Sequence, residues 1–580
     1  MSSLAEKLAS GIARLLPSGK QASDPLANIK ATARWLENLP IGDAFKCQQA
    51  IFNELKRFNE TSNPFTQDRL AVLMLLDEKS RDLQDTLSHQ YLRNPRMSRL
   101  VESQLWHAVY SLHWEIARGY HAYVQHFSHA TSKSNPSEIV PLITLRAIGS
   151  FGELLKWRAI RYLPAGEKLW QRLHELYRIA ENDGFNRLPL RAYAEEVSES
   201  SCEAAYLHIL MLNLANSGTL YPKQIDLADR WLYGWHKYLQ LDSSLNTDVH
   251  NFVIDLSADH GPRRVRKPDD VKPMRFWTTS DLVPQLNSLH TALQEGRAPA
   301  QLGLGEAART AESLELLDHL HHQWSSLDAR EQRRAPRASI KRLVDVAHGL
   351  DAIVNQIKAV NAPASVSPYG TGLNYVSPYG TGLNYNEADD VQVYGFITDR
   401  TRERVSQMQS PAKPKSPDIE SWVMHDESEC GYGAIVESHD KDWLRVGALI
   451  GIKLHDASEW KIGIVRRLSR VNGDTSSVGI ETLTETPTLA MLYDTTPPTP
   501  GYTVSGTDGG IDNSGANLPH SSLWLAGSAG IDSVVIDPIH FIPGKICQIR
   551  GAAERKFIAL GAPIEHSKGW IRVIAEPVAG

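Results

Sequence analysis

The chain has 580 residues, of which 42% are apolar and 22% charged, and its formal net charge is −6. This length accommodates roughly three to four domains of ~150 residues, and the composition is that of an ordinary soluble protein. The negative net charge argues against a nucleic-acid binder, which needs a basic surface. Four cysteines without a C-x-x-C pair indicate a reducing compartment and predict neither disulfides nor a zinc site. We therefore expect a cytoplasmic protein.

The N-terminus predicts an amphipathic helix rather than a targeting segment. Charged residues interrupt residues 1–16, so no signal-peptide core forms there. The apolar residues of this segment share one helical face: Leu4, Leu8, Ile12, Leu15 and Leu16. We expect this helix to dock or fray, with a membrane-surface or partner helix as the alternative. No apolar run in the chain reaches the ~18 residues that a membrane span needs, so none is expected.

Residues 24–241 have a helical pattern. Apolar residues recur at spacings of three and four, and clusters of Ser, Thr, Asn and Pro such as residues 61–64 separate the periodic segments. Residues 206–214 are almost entirely apolar and predict a helix at the centre of a bundle. No 34-residue period is present. We therefore predict an all-α helical bundle or irregular solenoid for residues 1–245.

Residues 246–328 are predicted to continue the helical region around a small insert. Residues 251–257 and 274–278 alternate with period two and predict two strands, joined by a short basic loop. The loop could meet a phosphate, but a solvated hairpin tip explains it more simply. Helical periodicity resumes at residues 280–295 and 306–325. The insert is therefore predicted to be a small α/β element.

Two groups of polar residues in this part could suggest a metal or acid–base site. The first group is Asp255, Asp259 and His260, which follow the first predicted strand. The second group is His319, His321 and His322. Capping of a loop explains the first group equally well, and the histidines lack the i, i+4 spacing and companion carboxylate of a metal helix. We interpret the histidines as facing the surface or a partner.

No motif of an enzyme is present. The chain has no Ser elbow, P-loop, H-E-x-x-H or Gly-rich dinucleotide fingerprint. We expect no catalytic residues, no metal and no cofactor.

Residues 329–355 combine a basic cluster with an apolar segment. The cluster centres on Arg333-Arg334-Ala-Pro-Arg337. The apolar residues 344–354 that follow fit either a first barrel strand or a helix, and periodicity does not decide between them.

Residues 356–420 are predicted to be a flexible insertion. Residues 366–375 recur without change as residues 376–385. The repeat is rich in Gly and Pro and poor in branched apolar residues, so it cannot bury a core, and two copies are too few for a solenoid. We interpret it as a loop lengthened by duplication.

Residues 421–493 have the pattern of a small antiparallel barrel. Short alternating apolar segments are separated by Gly or by Asp and Ser. Residues 494–522 are rich in Pro, Gly, Ser and Thr and are predicted to be disordered. Strand-like runs return in residues 523–580, which either complete the same barrel or form an additional β module packed on it.

The run D-x-S-x-x-G, formed by Asp426, Ser428 and Gly431, is the candidate site within the barrel. A carboxylate accepts the N–H donors of a guanine edge, and a glycine turn lets backbone approach a ligand. Phosphates favour the planar fork of arginine. With its flanking strands, the motif resembles that of a PilZ domain, the bacterial module that binds cyclic di-GMP. The resemblance implies that these three residues contact the dinucleotide.

The PilZ family also carries an R-x-x-x-R arm before its first strand, and two stretches here fit that pattern. We favour Arg333, Arg334 and Arg337, because the local residue pattern resembles the family's arm and a candidate strand follows it. This choice requires a long insertion, which the duplicated repeat supplies. The alternative arm is Arg400 and Arg404, after which a Lys/Pro-rich linker follows instead of a strand.

The resemblance implies a bacterial cyclic di-GMP receptor and not an enzyme. Ligand would order the arginine arm against the barrel and alter how the helical region interacts with a protein partner. The alternative is an interaction scaffold whose barrel does not bind nucleotide. Control of motility, pili, biofilm polysaccharide or transcription would use the same receptor chemistry.

Overall fold

The computed structural model describes residues 24–578 with gaps. The gaps are residues 41, 62–64, 95–96, 131–138, 217, 266–272, 307, 327–336, 362–418, 439–440, 442, 455–456, 458, 472–474, 485, 495–519, 528–531, 551–554 and 568. The predicted N-terminal stripe and the duplicated repeat therefore lie outside the described residues.

The described residues form eleven α-helices. They are α1 Ile29–Glu37, α2 Ala44–Glu60, α3 Gln67–Arg93, α4 Arg99–Ala130, α5 Ile139–Ile160, α6 Leu169–Asn182, α7 Cys202–Ala215, α8 Pro222–Trp235, α9 Leu282–Gln294, α10 Thr310–Trp324 and α11 Leu350–Asn361.

Fifteen strands are present in the same residues. They are β1 Phe252–Asp255, β2 Arg263–Arg264, β3 Met274–Trp277, β4 Ala338–His348, β5 Ile419–Ser428, β6 Gly431–Glu437, β7 Leu449–Leu454, β8 Lys461–Arg470, β9 Thr475–Thr484, β10 Thr488–Asp494, β11 His520–Leu525, β12 Ser533–Ile536, β13 Ile546–Arg550, β14 Arg555–Ser567 and β15 Trp570–Val578.

The chain divides into two compact units. The first comprises Met1–Trp157, Glu167–Leu210 and Gly234–Thr278, and the second comprises Arg158–Gly166, Met211–Tyr233 and Thr279–Gly580. This division differs from the expected helical domain of residues 1–245, because residues 211–233 fall in the second unit. Most of helix α8 and all of α9 and α10 belong to the unit that contains the barrels, whereas the strands of the small insert belong to the first unit.

Local sequence signals explain where the first helices begin. The side chains of Asn28, Asp43 and Thr66 each accept a backbone N–H in the first turn of α1, α2 and α3, respectively. Such a cap satisfies a donor that has no partner within the helix. Helix boundaries in this region therefore follow from residues that the sequence shows directly.

A buried polar network ties three helices of the first unit together. The Asp77 carboxylate accepts the hydroxyls of Tyr120 at 2.8 Å and Tyr193 at 3.0 Å. The Arg146 guanidinium lies 3.7 Å from the same carboxylate and donates to Glu78 at 2.7 Å. The buried groups thereby satisfy one another, which avoids the cost of unpaired polar atoms in a core.

The insert is a three-stranded sheet of order β2-β1-β3, not the two-stranded element predicted. The loop between β1 and β2 contains Asp259, whose carboxylate accepts the backbone N–H groups of Lys168 at 2.7 Å and Gln171 at 3.1 Å. This residue therefore caps α6, in keeping with the capping interpretation.

In the second unit, His319 donates to the carbonyl of Ala215 at 2.8 Å. His319 is half-buried.

The first closed barrel has the strand order β4-β5-β6-β9-β8-β7, with antiparallel neighbours throughout. Its interior is filled by side chains that alternate along each strand, as period two requires. The apolar residues 344–354, whose structure the sequence left open, end β4 and begin α11. The change of period occurs at Gly349, whose φ of +80° suits a residue without a side chain.

The C-terminal strands form a second closed barrel of order β10-β11-β12-β15-β14-β13. Numbered within each barrel, both orders read first-second-third-sixth-fifth-fourth. Strand β10 pairs with β11 and β13, so the predicted end of the first barrel at residue 493 is corrected to Thr484. Strand β11 begins at His520, inside the segment predicted to be disordered. The additional β module is therefore a barrel of its own.

Helix α11 packs with both barrels in one apolar cluster. Its buried residues Ile353 and Ile357 share this cluster with Ile462 of the first barrel and Leu523 of the second. Trp570 of β15 is 2% exposed, and its indole N–H donates to the carbonyl of Gly447 at 3.0 Å. The two barrels are thus joined by a shared core within the second unit.

Two helical-region segments of the second unit bind strand β8 through backbone hydrogen bonds. The N–H of Leu468 donates to Gly218 at 2.9 Å, and that of Arg470 donates to Tyr162 at 2.9 Å. Tyr162 and Tyr221 pack against the core of the first barrel. These contacts anchor the strand that also lines the candidate site.

Candidate ligand-binding site

The D-x-S-x-x-G residues lie where β5 turns into β6. Asp426 and Ser428 are on β5, and Gly431 is the first residue of β6. The Ser428 hydroxyl donates to the Gly431 carbonyl at 3.3 Å, which gives the S-x-x-G spacing a local structural role. A register shift between Met424 and Asp426 marks a bulge, and bulges commonly redirect a side chain next to a site.

Two glycines allow the close approaches on which the site depends. A Cβ at Gly431 would lie 1.9 Å from the carbonyl oxygen of Ile480 on β9, so only glycine permits this pairing. A Cβ at Gly433 would lie 2.4 Å from Oδ2 of Asp426. Gly433 is the register partner of Asp426, so the carboxylate lies over the space that its missing side chain leaves. The sequence reasoning did not identify Gly433.

Arg337, the residue directly before β4, reaches the motif. Its Nη1 donates to Asp426 Oδ1 at 3.0 Å and Oδ2 at 3.2 Å. Both side chains are partly exposed, at 45% and 34%, so the pair remains accessible from solvent. Arg342, within β4, lies 3.7 Å from Glu427 and makes a looser pair of the same type.

These residues surround one open pocket of about 390 Å³. Its lining includes Arg337, Asp426, Ser428 and Gly431. The opposite side is formed by β9 and β8, which contribute two further arginines, Arg466 and Arg467. A pocket with a carboxylate, a hydroxyl, glycine backbone and three guanidinium groups suits an anionic ligand that also carries N–H donors.

Arg466 is held by two carboxylates from different barrels. Its Nε donates to Glu481 of the first barrel at 2.5 Å, and its Nη groups form a bidentate pair with Glu565 of the second. Burial alone lowers the pKa of Arg466, but the hydrogen bonds and charge of Glu565, together with Glu481, raise it above the ordinary value. No sequence signal indicates this contact, because Arg466 and Glu565 are 99 residues apart.

The structure brings together some of the predicted site residues. Asp426, Ser428, Gly431 and Arg337 share the pocket. Arg333 and Arg334 of the favoured arm lie outside the described residues, as do Arg400 and Arg404 of the alternative arm.

The described residues give no sign of a metal centre or a membrane segment. They contain no cluster of three His, Cys, Asp or Glu side chains that could hold a metal ion. No helix among them is long and apolar enough to cross a membrane.

A six-stranded barrel with D-x-S-x-x-G at the end of its second strand defines a PilZ domain, and the C-terminal part of the chain contains one. Residues 383–488 match the family model of the middle PilZ domain of the cyclic-di-GMP receptor FimW. Residues 30–246 match the model of the N-terminal domain of FimW. The first of these matches includes Arg400 and Arg404 but begins after Arg337.

Over about three quarters of its length, the chain is similar to a curated relative, the cyclic-di-GMP receptor FimW of Pseudomonas aeruginosa. The two are 22% identical over 476 residues, which span 77% of this chain and 76% of the relative. No solved structure matches the chain significantly.

Proposed function

We propose that this protein is a cyclic di-GMP receptor and that the dinucleotide binds in the pocket of the first barrel. The observation that carries the proposal is the convergence of Arg337 with Asp426, Ser428 and Gly431 on one pocket of a PilZ barrel. The similarity to a relative named as a cyclic di-GMP receptor supports it.

Each side chain in the pocket has a chemical role toward this ligand. Asp426 accepts the N–H donors of a guanine edge, because an ionised carboxylate is an acceptor only. Arg337 pairs with a phosphate through its guanidinium fork. Gly431 permits the close approach of β6 to β9, and Gly433 leaves the space in which the Asp426 carboxylate lies at the pocket. Arg337 and Asp426 satisfy each other until ligand supplies a partner for each.

The remaining arginines of the arm complete the phosphate contacts. Arg333 and Arg334 precede Arg337 by four and three positions, so we assign them to the arm that closes on the ligand. Because Arg337 already contacts Asp426, the favoured arm needs no rearrangement of β4 to reach the pocket. Arg400 and Arg404 are the alternative.

The output of the receptor is an altered interaction between the helical region and a protein partner in the bacterial cytoplasm. A bound dinucleotide adds charge-assisted hydrogen bonds to the arm, which is an established way to switch a segment. The residues of the pocket bind and orient, and we assign no catalytic step to them.

The test is calorimetric titration of the full chain with cyclic di-GMP. We expect binding that Arg337→Ala and Asp426→Ala each weaken roughly 10- to 100-fold, since a hydrogen bond to a charged group contributes about 1.5–3 kcal/mol. Arg342→Ala is the matched control, because Arg342 lies five residues after Arg337, on β4, and its acidic partner is outside the pocket lining.

The titration also distinguishes the competing possibilities. Cyclic di-AMP should bind more weakly, because the Watson–Crick edge of adenine presents one amino donor beside an acceptor nitrogen, whereas that of guanine presents two adjacent N–H donors to a carboxylate. If the Arg400→Ala/Arg404→Ala double variant loses affinity while Arg333→Ala keeps the wild-type affinity, then Arg400 and Arg404 form the ligand-binding arm. Absence of heat with the wild-type chain would leave a helical scaffold carrying a barrel that binds no nucleotide.

A further inference from the structure

Arg466 faces two ways, toward the candidate pocket and toward the second barrel. It lines the pocket opposite Arg337, yet its guanidinium is bound by Glu565, which belongs to β14 and does not line the pocket. The Arg466 side chain is 39% exposed, whereas that of Glu565 is only 15% exposed. A guanidinium of the proposed ligand pocket is therefore already paired with a carboxylate of the second barrel.

The hydrogen bonds of Arg466 oppose simultaneous binding of a phosphate. Its Nε donates to Glu481 and its two Nη groups donate to Glu565, so a phosphodiester can form a bidentate pair with this guanidinium only when one carboxylate withdraws. Glu481 is on β9 and lines the pocket itself. Glu565 is the carboxylate whose withdrawal would move a different barrel.

Glu565 has a second cation within reach. It is the register partner of Arg572 across β14 and β15, and side chains opposite each other in an antiparallel pair lie close together. Burial lowers the pKa of Arg572, while the charge of Glu565 raises it and that of Arg466 lowers it further. The ladder between these strands shifts register on both sides of Pro563, next to Glu565. Such an irregular segment can adjust more easily than a regular ladder.

We propose that Arg466 is a further ligand-binding residue and that it couples the pocket to the second barrel, by exchanging Glu565 for a phosphate oxygen of the bound dinucleotide. Glu565 then pairs with Arg572 within its own barrel. This inference rests on the proposed function. A bidentate phosphate replaces a bidentate carboxylate, so the guanidinium keeps the same hydrogen-bond geometry in both states.

Because coupling between two sites is reciprocal, removing the competing carboxylate should tighten ligand binding. We expect Glu565→Gln to lower the dissociation constant for cyclic di-GMP by roughly two- to fivefold, the range for a partly exposed ion pair. Glutamine keeps an acceptor and the side-chain volume, so β14 remains folded. Glu576→Gln, an exposed glutamate on β15, is the matched control and should leave the affinity unchanged.

Hydrogen exchange of the full chain supplies the second measurement. Saturating ligand should change the exchange of β14 and β15 amides in the wild type, and Arg466→Gln should weaken binding and abolish that change. A wild-type chain that binds no cyclic di-GMP would refute the proposed function itself. If the wild type binds, then either an unchanged affinity of Glu565→Gln or ligand-independent exchange in β14 overturns the coupling while the receptor stands.

Discussion

Gly433→Ala is the perturbation that most sharply tests the geometry of the proposed pocket. A Cβ at this position would lie 2.4 Å from Oδ2 and 2.6 Å from Oδ1 of Asp426, well inside ordinary contact distance. The atoms in the way form the end of a rotatable side chain, so the carboxylate turns aside while the strand stays in register. Asp426 then loses both Arg337 and the position from which it accepts guanine donors.

The structure separates the effect on binding from that on folding. Displacing the carboxylate removes a hydrogen bond to a charged group. This loss corresponds to about 1.5–3 kcal/mol of binding free energy, or a dissociation constant that is 10- to 100-fold higher. The Arg337–Asp426 pair is partly exposed, so its loss costs the barrel about 0–1 kcal/mol. We therefore expect a large loss of affinity with a nearly unchanged unfolding midpoint.

A double-mutant cycle read by calorimetry checks that reasoning. If alanine at position 433 acts through Asp426, it adds almost nothing in the Asp426→Ala background, because contacting residues are not additive. Full additivity of the two changes would refute the mechanism. Wild-type affinity in Gly433→Ala would likewise show that the carboxylate of Asp426 is not where the ligand needs it.

Three further predictions concern stability. Gly431→Ala should lower the denaturant midpoint by more than Gly433→Ala does, because its Cβ meets the backbone oxygen of Ile480 at 1.9 Å and backbone cannot rotate away. Trp570→Ala should cost about 3–5 kcal/mol and separate the unfolding of the two barrels, since the indole fills their shared core. Burial lowers the pKa of His174 from 6.5 to about 4, so the stability present above pH 6.5 falls as pH drops toward 4, by roughly 2 kcal/mol at pH 5. Denaturant unfolding of the wild type and His174→Gln at pH 7 and pH 5 should show a smaller pH dependence in the variant.

The sequence by itself determined the classes of structure and the motif. Spacings of three and four, broken by clusters such as residues 61–64, predicted the helical region, and alternation predicted strands, because these periods follow from local backbone geometry. The D-x-S-x-x-G run indicated a PilZ domain because its residues lie within one turn between two strands. Such features depend on neighbours in the chain.

Only the tertiary structure decided which strands share a barrel and which residues face the pocket. Strand β10 directly follows the first barrel in the chain, yet its hydrogen bonds go to β11 and β13. Gly433 matters because of the carboxylate across the ladder, and Arg466 because Glu565 comes from the second barrel. Pairing between distant segments depends on the packing of the whole unit, and a one-residue shift in register would reverse every side chain. No local pattern in the sequence carries that information.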